Sequence, residues 1–240
     1  MSHRRQQKEA LRLEREKREA EARAAQQRKK LVGYGAGGVI ALVAVVLIVV
    51  LAGGGGNGGG GEGQGGGDVF PEGADIAEQS EFDLNAAAEA AGCELESSKG
   101  SGVATHTGDL DVKVKYKENP PTNGRHFDIP AEDGIYFDPP QDEQLVHTLE
   151  HGRVAIWVKP NLPVAEREQI RALYDEDSFQ LAVVPRRNMP YDVAATAWNG
   201  DPAPGGTGRT LACEQWSDGV IDAIRAFRDE HRSNGPEDVD

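Results

Sequence analysis

The longest apolar run in the chain extends from Leu31 to Ala52, 22 residues without a charge. About 20 apolar residues cross the ~30 Å hydrocarbon core of a bilayer, so this run predicts a single transmembrane helix. A cleavable signal peptide would have a shorter apolar region that ends in a cleavage site of small residues, so that interpretation fits less well. A buried core helix is the remaining alternative. Residues 53–67 follow with 12 glycines in 15 positions, which predicts a flexible tether.

Beyond the glycine-rich segment, short stretches alternate between strand and helix periodicity. Residues 112–116 alternate apolar and basic side chains, which predicts a strand with one solvated face. Residues 153–158 are apolar on both faces, which predicts a central strand. Together the pattern predicts one α+β domain with a mixed sheet over residues 68–240. The other expected elements are helices at 85–91, 141–151, 163–174 and 214–231, strands at 179–184 and 192–198, and a loop at 202–208.

The formal net charge of −14 hides two opposite parts of the chain. Residues 1–30 hold 11 Lys and Arg against 5 Asp and Glu, or +6, so the remaining residues hold 15 against 35, or −20. Basic residues flank only the N-terminal end of the apolar run. This predicts a protein of the cell membrane with a cytoplasmic N-terminus and an extracytoplasmic C-terminal domain. The helix-forming composition of residues 1–30 predicts a charged helical or disordered segment.

The basic cluster next to the apolar run suggests a contact with the membrane surface. Arg28, Lys29 and Lys30 can attract anionic lipids of the cytoplasmic leaflet. Nucleic acid is not an expected partner, because acidic residues are interleaved with the basic ones.

The chain has two cysteines, Cys93 and Cys213, and both follow the apolar run. In an oxidising compartment an even pair of cysteines predicts one disulfide, and two free buried thiols are the alternative. Neither cysteine lies in a C-x-x-C motif, so the sequence does not support a thioredoxin-type redox centre.

Candidate chemistry centres on the segment "LVHTLEHG", residues 145–152. His147 and His151 are four residues apart on a predicted helix and can chelate one ion. Glu150 completes an H-x-x-E-H pattern, the inverted zinc-peptidase signature, in which the glutamate acts as the base. A metal-dependent hydrolase with Glu150 as catalytic base is therefore one hypothesis. A histidine at a helix C-terminus is also favourable through the helix dipole alone, without a metal. A metal-free domain with an interaction or structural role in the cell envelope is therefore another hypothesis.

Two further histidines offer additional ligands. His126 ends the segment "NPPTNGRH", where two prolines and an Asn-Gly turn form a rigid loop. With His106 as a fourth ligand, the predicted metal site contains His106, His126, His147 and His151, with Glu150 beside them. Such imidazole-rich sites suit Zn²⁺, Cu²⁺ or Ni²⁺, and we expect Zn²⁺ or Cu²⁺.

These motifs together resemble a bacterial family, the domain of unknown function 3105, found behind a single membrane helix. The resemblance covers about residues 93–237, with Asn123 where the family pattern favours serine. It implies an extracytoplasmic domain with grouped histidines, and it implies no particular reaction. The matching motifs are His106, Pro120 to His126, Gly134 to Tyr136, His147 to Gly152, Ala197-Trp198 and Gly235 to Glu237.

Overall fold

The computed structural model of the protein describes residues 69–100 and 106–237. The predicted cytoplasmic segment, transmembrane helix and glycine tether lie outside these residues. Within the described ranges, no helix is both long and apolar enough to cross a membrane. The helices are α1 (Leu84–Ala91), α2 (Asp142–Glu150), α3 (Val164–Glu176) and α4 (Val220–His231). The strands are β1 (Glu94–Lys99), β2 (His106–Thr107), β3 (His126–Phe127), β4 (Gly134–Ile135), β5 (Val154–Val158), β6 (Leu181–Pro185), β7 (Val193–Asn199) and β8 (Thr207–Cys213).

A six-stranded sheet with the order β1-β8-β7-β5-β6-β4 forms the centre of the domain. The pairs β1–β8, β8–β7 and β7–β5 are antiparallel, whereas β5–β6 and β6–β4 are parallel. The predicted α+β class with a mixed sheet is therefore confirmed. A separate two-stranded parallel sheet joins β2 to β3.

Strand β5 is buried on both faces, as its apolar sequence predicts. Val154, Ile156 and Val158 face a core that they share with α1, α3 and α4. Ala155 and Trp157 face a second core, which is built mainly from α2 and the opposite side of the sheet. Successive side chains of a strand point to opposite faces of the sheet. Helix α2 therefore packs on one face, and the other three helices pack on the other face.

Helix α2 begins and ends at local signals in the sequence. The Gln144 side chain accepts the Gln141 N–H at its start, and Asp142 and Glu143 supply negative charge to its first turn. Gly152 follows the helix with φ of 77°, a left-handed conformation that favours glycine. The helix is nearly all buried, including its polar residues, so its polar side chains need partners inside the fold.

The prediction of a strand at residues 112–116 is wrong. The side chains do alternate between exposed and partly buried positions, but the segment does not pair with a strand. It lies against the first turn of α2 instead, where the Val114 N–H donates to Glu143 Oε1 at 2.7 Å. Alternation of apolar and basic residues shows only which side chains point toward the protein interior. A strand also needs the edge of a neighbouring strand with free backbone N–H and C=O groups.

Five strands were not predicted from the sequence, among them the two-residue strands β2, β3 and β4. β1 is an edge strand whose side chains are almost all exposed, so it has no apolar alternation. β8 was expected to be a loop at its start, since glycine and threonine dominate there. The ends of these elements are joined as predicted: the sulfur atoms of Cys93 and Cys213 lie at disulfide-bonding distance.

Candidate metal centre

The short parallel sheet brings together two histidines that are 20 residues apart. His106 in β2 lies directly opposite His126 in β3. Paired positions on adjacent strands project to the same side, so the two rings meet edge to face with centroids 4.5 Å apart. His126 is fully buried, whereas the side chain of His106 is 36% exposed.

The loop before β3 fixes the ring of His126. Gly124 turns the chain with φ of 128°, and its carbonyl oxygen lies 2.7 Å from His126 Nδ1. A carbonyl only accepts hydrogen bonds, so Nδ1 carries the ring proton and Nε2 of a neutral ring keeps its lone pair. The indole of Trp198 packs edge-on against the same ring, with centroids 5.9 Å apart.

His147 in α2 is oriented in the same way. Its Nδ1 lies 2.7 Å from the carbonyl oxygen of Phe127, the residue after His126 in β3. Nδ1 therefore donates, and the lone pair of Nε2 points toward the other histidines. A backbone acceptor behind the ring is the usual way in which a metal-binding histidine is held in one tautomer.

Glu150 completes the group from the last residue of α2. It lies three residues after His147, so both side chains share one face of the helix. Glu150 Oε2 is 2.9 Å from His126 Nε2 and 3.4 Å from His106 Nε2. The carboxylate is fully buried, and neither of its oxygens has a hydrogen-bond partner among the described residues.

The contact between His126 and Glu150 is unfavourable without a cation. His126 Nε2 also has no hydrogen-bond partner within the described chain, although Glu150 Oε2 is 2.9 Å away. In the neutral Nδ1–H tautomer the contact joins two lone pairs. A buried carboxylate without a donor or positive charge costs several kcal/mol. The arrangement therefore fits a cation between the imidazoles and the carboxylate.

One ligand atom from each of His106, His126, His147 and Glu150 lies within 4.8 Å of all the others. In a tetrahedral zinc site the ligand atoms are about 3.4 Å apart, since Zn–N and Zn–O bonds are about 2.0–2.2 Å. Small side-chain movements would bring these four atoms onto one ion. The group thus offers three nitrogen ligands and one oxygen ligand.

His151 lies on the other side of His147. The Nε2 atoms of the two rings are 2.9 Å apart, and His151 Nε2 is 3.4 Å from Glu237 Oε2. His147, His151 and Glu237 form a second group with ligand atoms within 4.8 Å of one another. Because the Nδ1 atom of His147 carries its ring proton, His151 Nε2 donates to His147 Nε2. An ion between the two rings would require the tautomer of His151 that carries its proton on Nδ1.

The C-terminal segment places Glu237 beside α2. Ser233 N–H donates to Gly152 O at 2.8 Å, and Glu237 N–H donates to Glu150 O at 3.2 Å. Gly235 packs so tightly between them that an added Cβ would lie 2.2 Å from Glu150 O. The Gly-Pro-Glu sequence therefore closes over the C-terminal end of the helix.

The structure groups the predicted residues differently from the sequence hypothesis. His106, His126 and His147 converge with Glu150, which could supply a ligand atom, one of the roles that its place in the sequence allowed. His151 contacts His147 and belongs to the second group, with His147 and Glu237. We call this second group the outer group, and the first one the inner group. Sequence reasoning missed Glu237 as a site residue, although the Gly235-Pro236-Glu237 motif was part of the resemblance and could have indicated it.

Burial keeps the helix histidines neutral. It lowers the pKa of His147 to about 4, against the opposing effect of the hydrogen bond to Phe127 O; the neighbouring imidazoles add to the decrease. Burial and the nearby Arg153 also lower the pKa of His151, while Glu237 and Glu150 oppose that shift. Metal ions bind the neutral form of imidazole. His147 in the folded domain can therefore bind an ion without first releasing a proton to solvent.

Residues 108–240 match the family described as "Protein of unknown function (DUF3105)", which is more than half of the chain. The chain belongs to this family. The matched region contains His126, His147, Glu150 and Glu237, and it begins two residues after His106. Comparisons with curated proteins and with solved structures found no match.

In the metal-free protein, we expect His126 and His147 to carry their ring protons on Nδ1. We expect His147 to stay neutral at about pH 5.5, since burial lowers its pKa to about 4, whereas histidine in the unfolded chain titrates near 6.5. The unfolded chain then binds a proton that folded His147 does not, so His147 makes stability fall as the pH decreases from about 6.5 toward 4. Long-range ¹⁵N–¹H correlation spectra measure the tautomer and the protonation state of each ring, with the urea-unfolded chain as the control. An Nε2–H tautomer for either ring would contradict the assignment.

Proposed function

We propose that this protein binds one transition-metal ion in its domain through His106, His126, His147 and Glu150. The observation that carries the proposal is the fully buried Glu150 carboxylate, which faces three imidazoles and has no hydrogen-bond partner among the described residues. Such a carboxylate needs a positive charge beside it. A metal ion supplies that charge and uses the lone pairs that the Nδ1–H tautomers leave on His126 and His147.

The donor set selects the kind of metal. Three imidazole nitrogens and one carboxylate oxygen suit Zn²⁺ and Cu²⁺, whereas Mg²⁺ and Ca²⁺ prefer oxygen ligands. Zn²⁺ accepts a four-coordinate tetrahedral arrangement of nitrogen and oxygen ligands. We therefore propose Zn²⁺ or Cu²⁺ as the bound ion.

The arrangement favours retention of an ion over hydrolysis. Catalytic zinc sites usually have three protein ligands and an open position for water, whereas closed sites have four. The inner group offers four ligand atoms, and Glu150 is one of them. A hydrolase that used Glu150 as its base would need the carboxylate next to a bound water, outside the ligand set.

We also propose that the domain is anchored to the outer face of the cell membrane. The 22-residue apolar run before it is long enough to cross a bilayer, and the basic residues that precede the run favour a cytoplasmic N-terminus. The pairing of Cys93 with Cys213 supports an oxidising compartment for the domain. Arg28, Lys29 and Lys30 would then lie next to anionic lipids of the inner leaflet.

Titration of the metal-free protein with Zn²⁺ or Cu²⁺ tests the proposed binding. We expect one equivalent to bind, and we expect Glu150→Gln and His126→Ala to weaken the affinity by at least about a hundredfold, because each removes a buried ligand. Calorimetric titration with a competing chelator measures these affinities. Bound metal should also raise the unfolding temperature of the wild-type protein.

Matched variants separate loss of a ligand from a general effect on the fold. Glu143 is also a buried glutamate of α2, but it accepts the Val114 N–H and lies outside the histidine group. His231 is a buried histidine of α4. Glu143→Gln and His231→Leu should bind metal like the wild type. Failure of the wild-type protein to bind either ion, or equal losses in all four variants, would contradict the proposal.

Membrane anchoring predicts that the chain sediments with membranes and remains there after a carbonate wash. A single cysteine introduced near the N-terminus of a Cys93→Ala/Cys213→Ala variant should resist a membrane-impermeant thiol reagent in intact cells. A cysteine introduced into the glycine-rich segment should react, since positive-inside topology places that segment outside. The reverse labelling pattern, or recovery in the soluble fraction, would contradict the topology.

A further inference from the structure

The inner and outer groups share one atom, His147 Nε2. The inner group joins it to His106, His126 and Glu150, and the outer group joins it to His151 and Glu237. The Nδ1 atom of His147 donates to Phe127 O, so Nε2 is the only nitrogen of this ring that can bind an ion. One lone pair binds one ion, and the two positions are therefore alternatives for the same ion.

The two positions differ in their access to solvent. In the inner group, Glu150 and His126 are fully buried, while the side chain of His106 is 36% exposed. In the outer group, the side chain of His151 is 15% exposed and that of Glu237 is 43% exposed. A hydrated ion can therefore meet Glu237 without opening the domain, whereas the carboxylate of Glu150 is closed to solvent.

We propose that His147, His151 and Glu237 form an outer docking position through which a transition-metal ion enters and leaves the inner group. The ion first exchanges water for Glu237, His151 and His147, while His151 changes tautomer: Nε2 releases its proton to solvent and Nδ1 takes one up, so the ring stays neutral. It then exchanges Glu237 and His151 for the inner ligands while His147 stays bound. This inference rests on the proposed metal binding and deepens it.

The stepwise route lowers the barrier to exchange for a physical reason. Removing all waters from a divalent ion in one step is costly, and replacing them one ligand at a time avoids a bare ion. The charge of Glu237 also attracts cations toward the outer position. Backbone bonds of residues 233–237 to Gly152 and Glu150 hold the backbone of Glu237 in place, so these bonds do not depend on the charge of its side chain.

Exchange kinetics distinguish a docking position from a ligand of the resting ion. A group on the route alters the barrier but not the two end states, so uptake and release change by the same factor. In Glu237→Gln, full-length protein should take up Zn²⁺ and release it to a chelator about tenfold more slowly, with an unchanged equilibrium affinity. His151→Gln should show the same paired decrease. Stopped-flow measurement with a fluorescent zinc chelator gives both rates.

Glu230→Gln is the matched control, because it removes one exposed carboxylate of α4 at an equal change in net charge. It should leave both rates unchanged. Unchanged rates in both Glu237→Gln and His151→Gln would overturn the docking position while leaving metal binding intact. Faster release with a large loss of affinity would also overturn it, since Glu237 would then be a ligand of the resting ion. Absence of zinc binding in the wild type would instead overturn the proposed function itself.

Discussion

The carboxylate of Glu150 imposes the strongest constraint on this domain. It is fully buried at the last residue of α2, and no hydrogen bond to it exists among the described residues. Two of the neighbouring rings, His126 and His147, donate their Nδ1 protons to the carbonyl oxygens of Gly124 and Phe127. Removing a charge from water without compensation would oppose folding. The proposed cation would reconcile the burial of Glu150 with a stable fold.

The rest of the architecture positions the groups around that charge. The mixed sheet places α2 alone on one face, where His147 and Glu150 contact the β2–β3 pair. That short sheet sets His106 beside His126, and Phe127 in the same strand orients His147. The C-terminal segment closes over the end of the helix and adds Glu237 at the solvent side. Four separate parts of the chain thus meet at one point.

The sequence predicted those features of the site that depend on local spacing. The i, i+4 relation of His147 and His151, the end of the helix before Gly152, and the rigid turn before His126 all follow from neighbouring residues. Long-range pairing was not predictable in this way. The separation of His151 from the inner group depends on where β2, β3 and residues 233–237 lie. The same limit explains the wrong strand at 112–116, where alternation was present without a partner strand.

The most direct test of the account is a crystal structure of the zinc-loaded protein with anomalous data collected at the zinc edge. The account predicts one strong peak about 2.0–2.2 Å from the Nε2 atoms of His106, His126 and His147 and from a carboxylate oxygen of Glu150. A structure without a peak there, in which a protonated His126 Nε2 donates a well-aligned hydrogen bond to Glu150, would contradict it.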